Sequence, residues 1–286
     1  MASSWLRVAE LVGELGELSV VDADDTMDHL LRSVCEIVGS EDALLGFAVR
    51  DPHAPADDAL KGWRPPSPYR PRRRGPRADR DAALLDAWYG SIPRVVLDAA
   101  TIAVAASRGA VRAITHRDVM NERAWERSAI FELLNSSGIA DRLIGARPLS
   151  ANVELLVVTY RRRGERPFGE GERRRLQMVM AGLNGIGRQF ALAYGLIGAR
   201  RPLTRRERQS LHYLLLGLSE KQIAAAMMLS ERTLHHHVTV LHQKFAVQSR
   251  AELMALFLRA RTHADCYPQG CGSSSLPEAT CLKSGS

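Results

Sequence analysis

The sequence predicts an α+β front half followed by a small all-α domain of four short helices. Three observations carry this: helix-start signals that recur from residue 203 onward, two apolar strand-like runs joined by a polar turn at 150–152, and amphipathic helical spacing at the start. At 286 residues the chain is long enough for two packed cores.

In the front half, "WLRVAELVGELGEL" (5–18) and "TMDHLLRSVCEIVGS" (26–40) have helical spacing, and "ALLGFAVR" (43–50) has the continuous apolar character of a buried strand. Asp24 or Asp25 is expected to cap the second helix; the run "DADDTMD" (22–28) lacks the glycine and twelfth-position glutamate of a calcium loop. Cys35 falls on an apolar helix face and is expected in the core. Asp57 and Asp58 lie in a polar loop rather than at a strand end, which argues against a phosphoacceptor domain. The proline- and arginine-rich stretch 64–77 cannot be helix or central strand, and an extended, solvated loop is expected. "RLIGARPL" (142–149) and "VELLVVTYRR" (153–162) pair around Ser150 to Asn152, and a long helix starts near Glu170.

Along that helix Leu176, Leu183, Phe190 and Ile197 recur every seven residues, with Met180, Gly187 and Tyr194 offset by four. The pattern suits either a seam between two subunits or a face of the core. Glycines at 182, 185, 187 and 195 favour the core, since each interior helical glycine costs about 1 kcal/mol.

From Pro202 onward the predicted helices are 205–216, 220–228, 231–245 and 250–260. Thr204 with Glu207, Ser219 with Gln222, and Ser249 with Glu252 fit the capping box, Ser230 caps directly, and Gly217 ends the first helix. The middle pair, joined by a very short turn, has helix-turn-helix dimensions. On the third helix Leu234, Val238, Leu241 and Phe245 form one apolar stripe. The opposite stripe carries Arg232, His235, His236, Thr239 and Gln243, side chains suited to phosphates and base edges.

The histidines of "TLHHHVTVLHQKF" (233–245) do not suit a metal. His235, His236 and His237 are consecutive and point about 100° apart. His242 shares a face with His235, but seven residues of helix separate them by about 10.5 Å. His237 flanks the apolar stripe and is expected to pack. Proton-transfer catalysis would need a nucleophile or carboxylate partner, and the segment offers only Glu231 and Glu220 at helix starts; no glycine-rich phosphate loop appears. No catalytic residue, metal or cofactor is therefore assigned.

The net charge of +7 permits attraction to polyanions. The four cysteines have no C-x-x-C spacing, and no apolar run approaches the roughly 20 residues of a membrane span, so a cytoplasmic protein with reduced thiols is expected. Residues 263–286 have the composition of a disordered tail.

Residues 203–258 resemble the LuxR-type helix-turn-helix domain of bacterial transcription regulators. The landmarks are Leu203 to Glu207, Gly217 to Ser219, Lys221 to Ala224, Ser230, Thr233, His237, Lys244, Phe245, Val247 and Ser249 to Leu253. The resemblance implies a third helix in the major groove of double-stranded DNA and a fourth helix that supplies a dimer contact. Base contacts then fall on His235, His236 and Thr239, and phosphate contacts on Lys221 and Thr233. With Ser230, Arg232 and Gln243 these complete the candidate DNA-binding set. His235 and Thr239 stand where the family often carries Lys or Arg. Exposed histidines have a reference pKa of about 6.5, so affinity is expected to rise on mild acidification. Met228 occupies a turn position where many helix-turn-helix proteins use glycine.

The order of elements in the front half resembles a GAF-like sensory domain. The expected organisation is a GAF-like sensory or regulatory domain at 1–197, a linker at 198–202 and the helix-turn-helix domain at 203–262. The protein is expected to be a dimeric, sequence-specific transcription regulator, with a small-molecule effector and RNA polymerase as further candidate partners. A small-molecule-processing enzyme and a protein-interaction adaptor are the alternatives.

Overall fold

A computed structural model describes residues 2–17, 23–64, 72–74 and 99–262. Two helices, α1 (Ala2–Glu17) and α2 (Ala23–Val38), lead into strand β1 (Asp42–Arg50). The short strands β2 (Trp63–Arg64) and β3 (Arg72–Arg74), helix α3 (Ala99–Ala106) and strand β4 (Arg112–Ile114) follow. A 3-10 turn at His116–Asp118 and helices α4 (Glu122–Glu126) and α5 (Ala129–Ser136) precede the hairpin of β5 (Ile139–Ser150) and β6 (Val153–Arg162). Helices α6 (Glu170–Gly182) and α7 (Asn184–Ala193) close the front half.

The sheet is antiparallel in the order β2-β1-β6-β5-β4, with β3 also paired to β1. The hairpin forms as expected, with Val153 opposite Ser150 and the Asn152 N–H donating to the Ser150 hydroxyl. Pro148, which has no N–H to donate, lies beyond the reach of β4 and beside an irregularity in register.

Alternation along the strands divides the sheet into two faces. Ala43, Leu45, Phe47, Leu143, Leu149, Val153, Leu155 and Val157 are buried in one core with residues of α1, α2, α6 and α7. Cys35 is buried in the same core. Gly145 allows α6 to approach the sheet: a Cβ there would stand 2.8 Å from Met180 Cγ and 2.9 Å from Leu176 Cγ.

Two buried charge clusters pin the loops to the sheet. The Glu154 carboxylate accepts both Arg112 terminal nitrogens at 3.0 Å and pairs with Arg108, whose guanidinium lies 4.8 Å over Trp63. Burial pushes Arg108 down to about 10. Asp141 accepts from the Phe168 N–H at 2.9 Å and from Arg117 at 3.2 Å. This ties the entry of α6 to β5. Next to it His116 stacks on the buried ring of Trp125 at 4.5 Å.

Three expectations need correction, and one open choice is decided. The long helix from Glu170 is broken at Leu183 into α6 and α7. Arg147 accounts for the break, because it donates to the carbonyls of Met180 and Ala181 at 3.1 and 2.7 Å and so satisfies the end of α6. The open choice for the heptad pattern falls to the core, as its glycines favoured: Leu176, Met180, Leu183, Phe190 and Tyr194 are buried there. The second helix begins at Ala23, so Asp24 and Asp25 fall within it rather than at its cap. Within the arginine-rich stretch, Arg72–Arg74 forms an edge strand on β1 rather than a solvated loop. Residues 65–71, 75–77 and the tail 263–286 lie outside the described residues.

The second core belongs to four helices: α8 (Arg205–Leu215), α9 (Glu220–Met227), α10 (Glu231–Phe245) and α11 (Arg250–Thr262). It contains Leu203, Leu211, Leu214, Ile223, Met227, Leu234, Val238, Leu241, Phe245, Leu253 and Phe257. Leu192 of α7 joins it, and α7 packs along α11. Tyr194 links the halves: its ring is 6.2 Å from Phe47 on one side and 4.5 Å from the Arg208 guanidinium on the other.

Candidate nucleic-acid interface

The helix pair α9–α10 is built by local chemistry. Ser219 accepts from the Gln222 N–H, and the Gln222 side chain accepts from the Ser219 N–H at 2.9 Å. Thr204 and Glu207 form the same reciprocal pair. The Ser249 box is only half made: its hydroxyl accepts from Glu252, but the Glu252 carboxylate takes the N–H of Gln248. Ser230 caps α10 through the Thr233 N–H at 3.1 Å, and the two hydroxyls lie 2.8 Å apart.

Helices α8, α9 and α10 each end on a left-handed residue with two tightening bonds. At Gly217 (φ +89°), Leu218 N–H donates to Tyr213 and Gly217 N–H to Leu214. The same pair forms at Met228 (φ 54°), where Leu229 donates to Ala224 and Met228 to Ala225. The turn geometry that glycine would favour is thus adopted by methionine, so α9 stops at Met227 and Met228 projects into solvent, 92% exposed. Ala246 (φ 53°) ends α10 in the same way.

The pose of α10 is set by polar ties at its far end. Lys244 donates to Glu207 at 2.7 Å and to the Pro202 carbonyl at 2.9 Å, and its own carbonyl accepts from Arg200 N–H at 2.8 Å. Burial pushes the Glu207 carboxyl upward, but the hydrogen bonds from Lys244 and the Thr204 N–H outweigh it and hold it below the usual range. Arg250 donates to the carbonyls of Leu214 and Leu218 at the end of α8. These ties join the ends of α8, α10 and α11, so α10 is presented as a fixed rod.

On that rod Leu234, Val238, Leu241 and Phe245 are all buried, and Arg232, His235, His236, Thr239 and Gln243 are all exposed. Lys221 is exposed in the first turn of α9, and Ser230 and Thr233 are exposed at the start of α10. All eight candidate residues are therefore exposed on α9–α10 and the turn between them. His237 is half-buried beside the apolar stripe, and His242 is half-buried too. Thr239 donates its hydroxyl hydrogen to the His235 carbonyl at 2.9 Å, leaving its methyl and oxygen lone pairs for a partner.

One residue outside the predicted set belongs to the surface. Glu220 of α9 stands 3.1 Å from His235 Nδ1. The pair is 15 residues apart in sequence and depends on how two helices cross, which no local spacing encodes.

This arrangement defines a helix-turn-helix domain with an open third helix. Residues 201–257 match the family described as bacterial regulatory proteins, luxR family, so the C-terminal domain is a LuxR-family helix-turn-helix domain. The chain is similar to the nitrate/nitrite response regulator protein NarP of Escherichia coli (strain K12), 46% identical over 59 residues, which cover 21% of this chain and 27% of that protein. It is also similar to a putative HTH-type transcriptional regulator in the exeN 3' region of Aeromonas salmonicida, 48% identical over 56 residues, covering 20% and 29% respectively. The chain thus spans under a third of the length of these relatives. Among solved structures, SdiA in complex with octanoyl-rac-glycerol matches with a TM-score of 0.42 and 12% identity, over 91% of this chain and 96% of that one. Escherichia coli SdiA gives 0.41 and 13%, over 89% and 96%. At these scores neither likeness defines the fold of the front half.

Proposed function

We propose that the protein is a sequence-specific DNA-binding transcription regulator that places α10 in the major groove. The observation that carries this reading is the division of α10, with its aliphatic side wholly in the core and its polar side wholly open. In this reading His235, His236 and Thr239 meet base edges, and Lys221 and Thr233 meet the phosphate backbone. Ser230, Arg232 and Gln243 complete the contact surface.

Residues 1–197 serve as a GAF-like sensory or regulatory domain, 198–202 as the linker and 203–262 as the DNA-binding domain. Support for a regulatory front half is its own core and its contact with the back domain through Leu192 and Tyr194. A homodimer would set two α10 helices about 34 Å apart on a roughly palindromic site; Leu258, exposed on α11, supports an apolar contact there. A small-molecule effector and RNA polymerase are proposed as further partners. No helix among the described residues is long and apolar enough to cross a membrane, which agrees with a proposed cytoplasmic location.

Selection by the full chain from a random double-stranded DNA library tests the function. Enrichment of a motif with two related half-sites is expected, and failure to enrich any sequence at any salt concentration would count against it.

A further inference from the structure

We propose that Glu220 is a positioning residue that decides which ring nitrogen of His235 carries the proton, making His235 a hydrogen-bond acceptor toward DNA. The inference rests on the DNA-binding reading and names the bases that one position of the site selects.

Glu220 is the first residue of α9, after the Ser219 cap, and His235 lies one turn into α10. Their side chains are 40% and 72% exposed, and Glu220 Oε2 is 3.1 Å from His235 Nδ1. An ionised carboxylate has no proton to give, so the hydrogen in this contact belongs to Nδ1. A neutral imidazole has one N–H, so Nε2, farther from the backbone, is left with a lone pair.

The other charged neighbours do not reverse this. Lys221 follows Glu220 on α9, and Glu231, Arg232 and His236 flank His235 on α10. None is hydrogen-bonded to the His235 ring, whereas the Glu220 carboxylate is. In water such an exposed pair contributes little. Docking on DNA removes that water, and a hydrogen bond in a low-dielectric interface holds a tautomer more firmly.

The consequence is a rule for one base. In the major groove only adenine N6 and cytosine N4 offer hydrogens, whereas guanine offers the acceptors N7 and O6. An acceptor Nε2 is complementary to adenine or cytosine and sets lone pair against lone pair at guanine. His235 therefore reads an exocyclic amino group, the opposite of the guanine preference that Lys or Arg would bring to this place.

The test has two readouts on the full chain. The first is the ring 15N spectrum of His235 in the free protein at pH 8, assigned with His235→Gln. The wild type is expected to show the proton on Nδ1, and Glu220→Ala to lose that preference. The second is selection from a random duplex library at the same pH. The wild type is expected to enrich adenine or cytosine over guanine by about fivefold at one position per half-site, the ratio one net hydrogen bond supplies. Glu220→Ala should abolish that ratio and leave the other positions unchanged. A proton on Nε2 in the wild type, or the same base ratio in both proteins, overturns the proposal. Absence of any enrichment, with the expected ring spectrum, overturns the DNA-binding reading instead, and the base rule falls with it. Glu220 is a partly exposed first-turn residue, so the variant is expected to fold; unchanged thermal melting checks this.

Discussion

The two halves of the chain hold themselves together by different means. In the back domain the first three helices are bounded by their own neighbours: Ser219, Ser230 and Thr204 cap starts, while Gly217, Met228 and Ala246 turn ends. In the front half the organising contacts span long distances, such as Arg112 with Glu154 and Asp141 with the Phe168 N–H. Local chemistry starts and stops the helices that present the surface, and only their mutual pose rests on distant ties such as Lys244 with Glu207. Long-range pairs join a sheet whose register depends on the whole domain.

Breaking the long-range scheme should have the largest effect. Glu154→Gln leaves the buried Arg108 and Arg112 charges without their carboxylate, and a loss of about 4 kcal/mol is expected for the front half, measured by chemical denaturation. In the back domain Leu234→Ala opens a cavity where the side chain is fully buried. A loss of about 3 kcal/mol and of DNA binding is expected.

The Glu207 to Lys244 tie gives a pH signature. Because the folded Glu207 carboxyl titrates below its unfolded value of about 4.3, its contribution is complete above that pH and disappears as pH falls through the folded value. Glu207→Gln should cost about 2 kcal/mol at neutral pH, with the gap from wild type closing below about pH 4 in thermal melts. Sharpening the local scheme instead, Met228→Gly relieves a left-handed methionine and should raise stability by about 1 kcal/mol. Lys221→Ala should leave stability unchanged and flatten the log–log salt slope of DNA binding by about 0.9.

The same contrast decides how much was legible in the sequence. The four back helices were readable to within about two residues, because caps, stripes and turns are each written within a few positions. The hairpin of β5 and β6 was readable for the same reason. The break at Leu183 was not, since it depends on Arg147 reaching from the sheet to the carbonyls of Met180 and Ala181. Nor was the pairing of Arg72–Arg74 with β1, which requires two segments to meet across a loop. At the candidate interface the open residues of α10 followed from helical periodicity, while Glu220 beside His235 followed only from the crossing of two helices.

In the proposed function the open side of α10 is the DNA-reading surface. Its most direct test is a full-length variant with Arg232, His235, His236 and Thr239 all changed to alanine, titrated against a selected duplex at fixed salt. Melting is expected to be preserved and specific affinity to fall by about a hundredfold. An unchanged affinity in the folded variant would contradict it.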